Sequence, residues 1–163
     1  MRIYLPATIA MLRDFEANGE FRARSGTAFA LTPALREAYA SGSDEELEYA
    51  ALLDAARASL RLIGAEEKGE PRRVVISADV ENVTLRPDLD AAVVRLDGPV
   101  PMSLLAAVHV DAAEAEEAVA AAAAVIDAAD LGDEDAEFTL GDAEDHELAW
   151  YAPQELPFLL ELL

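Results

Sequence analysis

The chain contains no cysteine. That excludes disulfides, zinc–thiolate sites, iron–sulfur clusters and a thiol nucleophile, and it fits the reducing cytoplasm in which we expect the protein. Histidine is nearly as scarce. Two histidines in 163 residues leave little scope for imidazole acid–base chemistry or imidazole metal sites. No run approaches the ~20 apolar residues that a membrane-spanning helix needs. The opening MRIYLPATIAML is short, is interrupted by Pro6 and is followed by Arg13, so neither a signal peptide nor membrane contact is expected. GxGxxG, GxxxxGK, GxSxG and HExxH are also missing, which removes the common nucleotide-binding and hydrolase readings. No cofactor is expected.

Positive charge is missing from one end. Residues 1–95 carry all 12 basic residues and 16 of the 33 acids; residues 96–163 carry the other 17 acids and no Lys or Arg. The net charge of −21 repels phosphate backbones and anionic membranes, so direct nucleic-acid binding is not expected. A chain of this length makes one domain, 1–163, and buries about 70% of its unfolded surface without a staple.

What is there reads as α+β. Strands are expected at 2–6, 27–31, 72–80, 92–96 and 106–110, from alternation and turn signals. Helices are expected at 8–18, at 33–39 behind a Thr32-Pro33 start, and at 43–64 behind the capping box Ser43–Glu46. Tyr49, Leu53, Ala56, Leu60 and Ile63 mark the buried stripe of that last helix. A second capping box, Asp111 to Glu114, opens a helix to about Ala129. Residues 133–147 read as a solvated acidic loop, 146–151 as a strand or helical turn, and 154–163 as a docking helix. We expect a mixed sheet of five to six strands with helices mainly on one face, a ferredoxin-like order being one arrangement.

Few side chains carry a chemical hypothesis. His109 and Asp111 lie two apart on a strand, where a carboxylate could orient an imidazole; the simpler reading is a sheet histidine beside a helix cap. Asp79 ends the strongest strand without a glycine-rich loop to give it a ligand. Asp142, Asp145 and His146 offer hard-metal donors, but near neighbours rarely aim at one point. Arg57 and Arg61, one helical turn apart, could hold an anion or pair with acids such as Asp54. Trp150, Tyr151, Phe158, Leu159 and Leu162 form a dense apolar end, which closes the core or meets a partner.

MRIYLPAT, TAFALTPALREAYASG, DEELEYAALLDAARASLRL, RRVVISADV, AAVHVD and EDHELAWYAPQEL together resemble an uncharacterised family of actinobacterial proteins with a domain-of-unknown-function label. The resemblance spans almost the whole chain and is most specific from Thr27 to Leu62. It implies an actinobacterial cytoplasmic protein and supplies no site residues. The leading expectation is a non-catalytic interaction or regulatory protein, self-associating or bound to a protein partner. The alternatives are a small carboxylate–histidine enzyme or divalent-metal-dependent protein, and an acidic mimic of nucleic acid.

Overall fold

Every residue from Val74 to Ala78 is buried, although successive side chains of a strand point to opposite faces. A sheet carrying such a strand must be covered on both sides. The computed structural model describes residues 1–163 and has that architecture. In chain order it comprises β1 (Arg2–Ala7), α1 (Ile9–Asn18), β2 (Glu20–Phe21), β3 (Thr27–Ala30), α2 (Pro33–Ala38) and α3 (Asp44–Ala65). There follow β4 (Val74–Asp79), β5 (Thr84–Leu85), β6 (Val93–Arg95), β7 (Val100–Pro101) and β8 (Leu105–Asp111). The chain closes with α4 (Glu116–Asp130), α5 (Glu134–Glu144), β9 (Leu148–Tyr151) and α6 (Leu156–Leu162).

The fold is α+β, as expected, but its layout differs from the expectation. The main sheet has seven strands in the order β5-β6-β3-β1-β4-β8-β9, and β2 pairs with β7 in a small second sheet. Every pairing is antiparallel, so the sheet is not mixed. A ferredoxin-like sheet is also antiparallel between neighbours, and the arrangement differs from it in order: β3 and β4, joined through α2 and α3, do enclose β1, but β8 and β9, joined through α4 and α5, lie side by side with no strand between them. Helices cover both faces rather than mainly one. Ile3, Leu5, Val74, Ile76, Val108 and Val110 pack with α1 and α6, through Leu12, Phe15, Leu156 and Leu159. Tyr4, Phe29, Val75 and Val93 pack with α2 and α3, through Leu35, Leu47, Leu52 and Ala55. The helical hairpin α4–α5 forms a third cluster on the far half of α3, around Leu60, Ile63, Val119, Ile126 and Leu140.

Helix starts follow the sequence closely. Thr8, Thr32 and Ser43 each accept from the third backbone N–H beyond them, and Ser43 with Glu46 completes the capping box. Gly19, in the left-handed region at φ 77°, ends α1. The buried stripe of α3 is only half as expected. Ala56, Leu60 and Ile63 are buried, but Tyr49 and Leu53 are exposed while Leu47, Ala51, Leu52 and Ala55 are buried instead. The first half of α3 lies on the sheet and the second half on α4, so the buried side rotates along the helix. At that second contact a Cβ on Gly64 would lie 2.8 Å from the Ala123 carbonyl oxygen, so the two helices touch backbone to backbone.

Two further expectations fail at the acidic end. Asp111 caps no helix: the turn before α4 begins at Ala112 without a side-chain cap. Residues 133–147 are not a solvated loop, because most of them form α5. Asp133 caps it by accepting from the Ala136 N–H at 2.9 Å, and Glu134, Asp135 and Glu137 suit the positive end of the helix dipole. Ala136, Leu140 and Ala143, at spacings of four and three, give it a buried side.

Candidate functional site

Where β8 ends, the molecule buries a full ion pair. Arg73 and Asp111 are 2% and 1% exposed. The Arg73 Nε and Nη2 donate to the two Asp111 carboxylate oxygens, each at 2.8 Å, and the Arg73 backbone N–H donates to Oδ2 at 2.7 Å. Nη2 also donates to the His146 carbonyl oxygen at 2.8 Å. One guanidinium therefore joins the start of β4, the end of β8 and the segment between α5 and β9. That last contact delivers β9 to the edge of the sheet.

His109 and Asp111 do share a face of β8, but they do not work together, because both Asp111 oxygens are taken. His109 instead meets Ser77 across the strands, Nε2 to Oγ 2.7 Å. Burial, aided by the positive Arg2 nearby, pushes the His109 imidazole down to about 4. It is neutral at pH 7 and a poor proton acceptor. Ser77 is 1% exposed and out of reach of a substrate. Around this pair, Tyr4 donates its hydroxyl to Glu48 at 3.1 Å, and burial with the Glu48 carboxylate raises the phenol further above its ordinary value. Asp79 pairs with Arg2 at 2.7 Å, and the Arg2 hydrogen bonds hold its carboxyl below the usual range. Asp79, His109 and Asp111 thus belong to three separate polar contacts, not to one catalytic centre.

The metal candidates do not converge either. No group of three or more His, Asp or Glu side chains is arranged to hold an ion, Asp142, Asp145 and His146 included. His146 contributes its carbonyl to Arg73 rather than its ring to a metal. Arg57 and Arg61 form no free anion site. Arg57 binds Asp130 at 3.1 Å and Glu137 at 2.9 Å, and Arg61 binds Asp130 at 2.7 Å. These are acids of the α4–α5 hairpin, not Asp54. The arginines of α3 neutralise part of the acidic end and strap the hairpin to the sheet layer.

The apolar C-terminus divides between core and surface. Leu159 is 5% exposed and belongs to the core beneath α6, so it presents nothing to a partner. Tyr151 is half-buried against the same cluster. Phe158 and Leu162 are exposed on the outer side of α6. Trp150 is elsewhere. It stands directly opposite His109 in the β8–β9 register, so it projects on the α3 face, whereas α6 packs on the other. At 61% exposed, the indole is open to solvent.

Sequence reasoning found Trp150 but missed its setting. The strand β9, LAWY, is the last in the sheet, and no hydrogen bond joins its outer edge to any other part of the chain. It contains no charge, proline or glycine, the usual guards of an open edge. Glu147 and Glu155 flank it, and Asp142, Glu144 and Asp145 are exposed at the end of α5, just before it. The signal available in the sequence was the short apolar β-former run between acids.

A family model, described as a family of unknown function (DUF6912), matches residues 1–160. No curated protein and no solved structure matches the chain.

Removing one partner of the buried pair strands a charge. Arg73→Met should cost about 3–5 kcal/mol in urea unfolding, and Arg73→Met with Asp111→Leu should recover much of it; a single-variant loss below about 1 kcal/mol would contradict the assignment. For His109 the folded value lies below the unfolded one, so the unfolded chain binds the extra proton. The stabilisation is complete above about pH 6.5 and declines as pH falls toward about 4. The ring should titrate near 4 by NMR, and His109→Gln should flatten that part of the stability profile. A midpoint at or above 6 would be inconsistent with the half-buried, Ser77-bonded ring.

Proposed function

The chain belongs to this family of unknown function (DUF6912), and we propose that it is a non-catalytic interaction protein of the cytoplasm that engages its partner through the edge strand β9. The observation that carries the reading is an uncharged, unpaired edge bearing the chain's single tryptophan, largely exposed. Open strand edges are adhesive, because they offer a row of free N–H and C=O groups to another backbone. Exposed Trp is among the side chains most often found to anchor interfaces. The polar groups that could have served catalysis support the same reading. Asp111 is consumed by Arg73, His109 is neutral and bonded to a buried serine, and Asp79 is paired with Arg2. No helix is long and apolar enough to cross a membrane.

A photo-reactive phenylalanine analogue at position 150 tests this in native lysate. The reading predicts a discrete adduct of defined mass, heterologous or a dimer of the chain, that is absent when the analogue replaces exposed Leu131. No adduct at 150, or equal labelling at 131, would count against an interaction through β9.

A further inference from the structure

The two edges of the main sheet are unequal. At one end β5 is only Thr84–Leu85, too short to recruit another strand. At the other, β9 is four residues long, and the backbone groups of every second one face outward and are free. Charge selects what can approach. Asp142, Asp145 and Glu147 are exposed and enter no ion pair or side-chain hydrogen bond, and residues 96–163 contain no cation to offset them. Arg72 and Arg73 are already paired with Glu116 and Asp111, and Arg57, 3.8 Å from Glu144, with Asp130 and Glu137. A second copy would bring its own acidic flanks and a charge of −21 against the same charge, which opposes β9-to-β9 pairing. The edge is thus adhesive to backbone but repels acidic strands.

The geometry points to an extended, positively charged segment of a partner protein as the occupant of β9, added to the sheet as an eighth strand. This deepens the interaction reading and rests on it. Main-chain hydrogen bonds to Leu148–Tyr151 supply the docking. Side chains of the incoming strand alternate between faces, so every second one lies on the side of Trp150. A Lys or Arg there stacks on the open indole in a cation–π contact. Cations at the ends of the segment face Glu147 and the free carboxylates of α5.

Three short capped peptides test the assignment against the full-length protein: one alternating Lys and Val, one with Glu for each Lys, and one with Pro for each Val. Trp150 emission reports binding, being the chain's single tryptophan. Amide exchange at residues 148–151 reports strand addition. The Lys–Val peptide should shift the emission, slow exchange at the outward amides of β9, and lose affinity as salt rises. The Pro peptide, of equal charge but with every second N–H donor removed and its φ angles held away from strand values, should bind at least about 10-fold more weakly, and the Glu peptide not at all. Equal binding by the Lys–Val and Pro peptides without exchange protection, or binding by the Glu peptide, would overturn the assignment. If no peptide binds while the adduct at position 150 persists, the basic strand falls and the interaction reading stands; if both fail, both fall.

Discussion

A buried arginine–carboxylate pair decides how the last third of this molecule is attached. Arg73 and Asp111 sit where β4 begins and β8 ends, beyond the reach of water. Burying two charges costs several kcal/mol per ion, and attraction offsets that only when geometry and hydrogen bonding are complete. Here they are. The fork of the guanidinium meets both carboxylate oxygens, the Arg73 backbone N–H adds a third bond, and the Asp111 N–H donates back to the Arg73 carbonyl at 3.1 Å. The remaining reach of the guanidinium, to the His146 carbonyl, fixes where the chain leaves α5 and enters β9. An apolar pair of the same volume could fill the space, but it could not grip a passing carbonyl.

This clamp also explains how an acidic hairpin can lie on the protein. Arg57 and Arg61 hold Asp130 and Glu137 from one side, while Arg72 holds Glu116 at 2.8 Å near the base of α4. Those pairs are half-exposed and individually weak. Their effect is positional, because they sit over an apolar seam in which Leu60, Ile63, Val119, Ile126 and Leu140 exclude water. The basic residues confined to the first 95 positions are in part the counter-charges of the acidic end. Among the acids they leave without an ion pair are Asp142, Asp145 and Glu147, just before β9.

Most elements were legible in the sequence because their signals are local. The Thr and Ser caps, Gly19 and the alternation of residues 72–80 are statements about neighbouring residues. The failures share one cause: each depended on a distant partner. Asp111 looks like a helix cap until Arg73, 38 residues away, claims it. The acids of 133–147 look solvated until α3 supplies arginines and α4 an apolar face for Leu140. Covering of both sheet faces follows from the VVISA run, whose five residues are all buried. The parallel or antiparallel sense of the strands has no local signature. At the candidate site, the sequence held Trp150 and its acidic neighbours, but not that LAWY would be the last strand of a sheet.

Docking at this edge requires β9 to be a true strand with one side paired and the other open. Amide hydrogen exchange of the free protein, followed at several protein concentrations, tests this directly. An open edge gives alternation along Leu148–Tyr151: amides facing β8 are protected, amides facing outward exchange at nearly unprotected rates, and neither changes with concentration. Uniform protection that strengthens with concentration would mean the edge is already covered by a second copy. Uniform lack of protection would mean that β9 is not held in the sheet, and the central claim would fail.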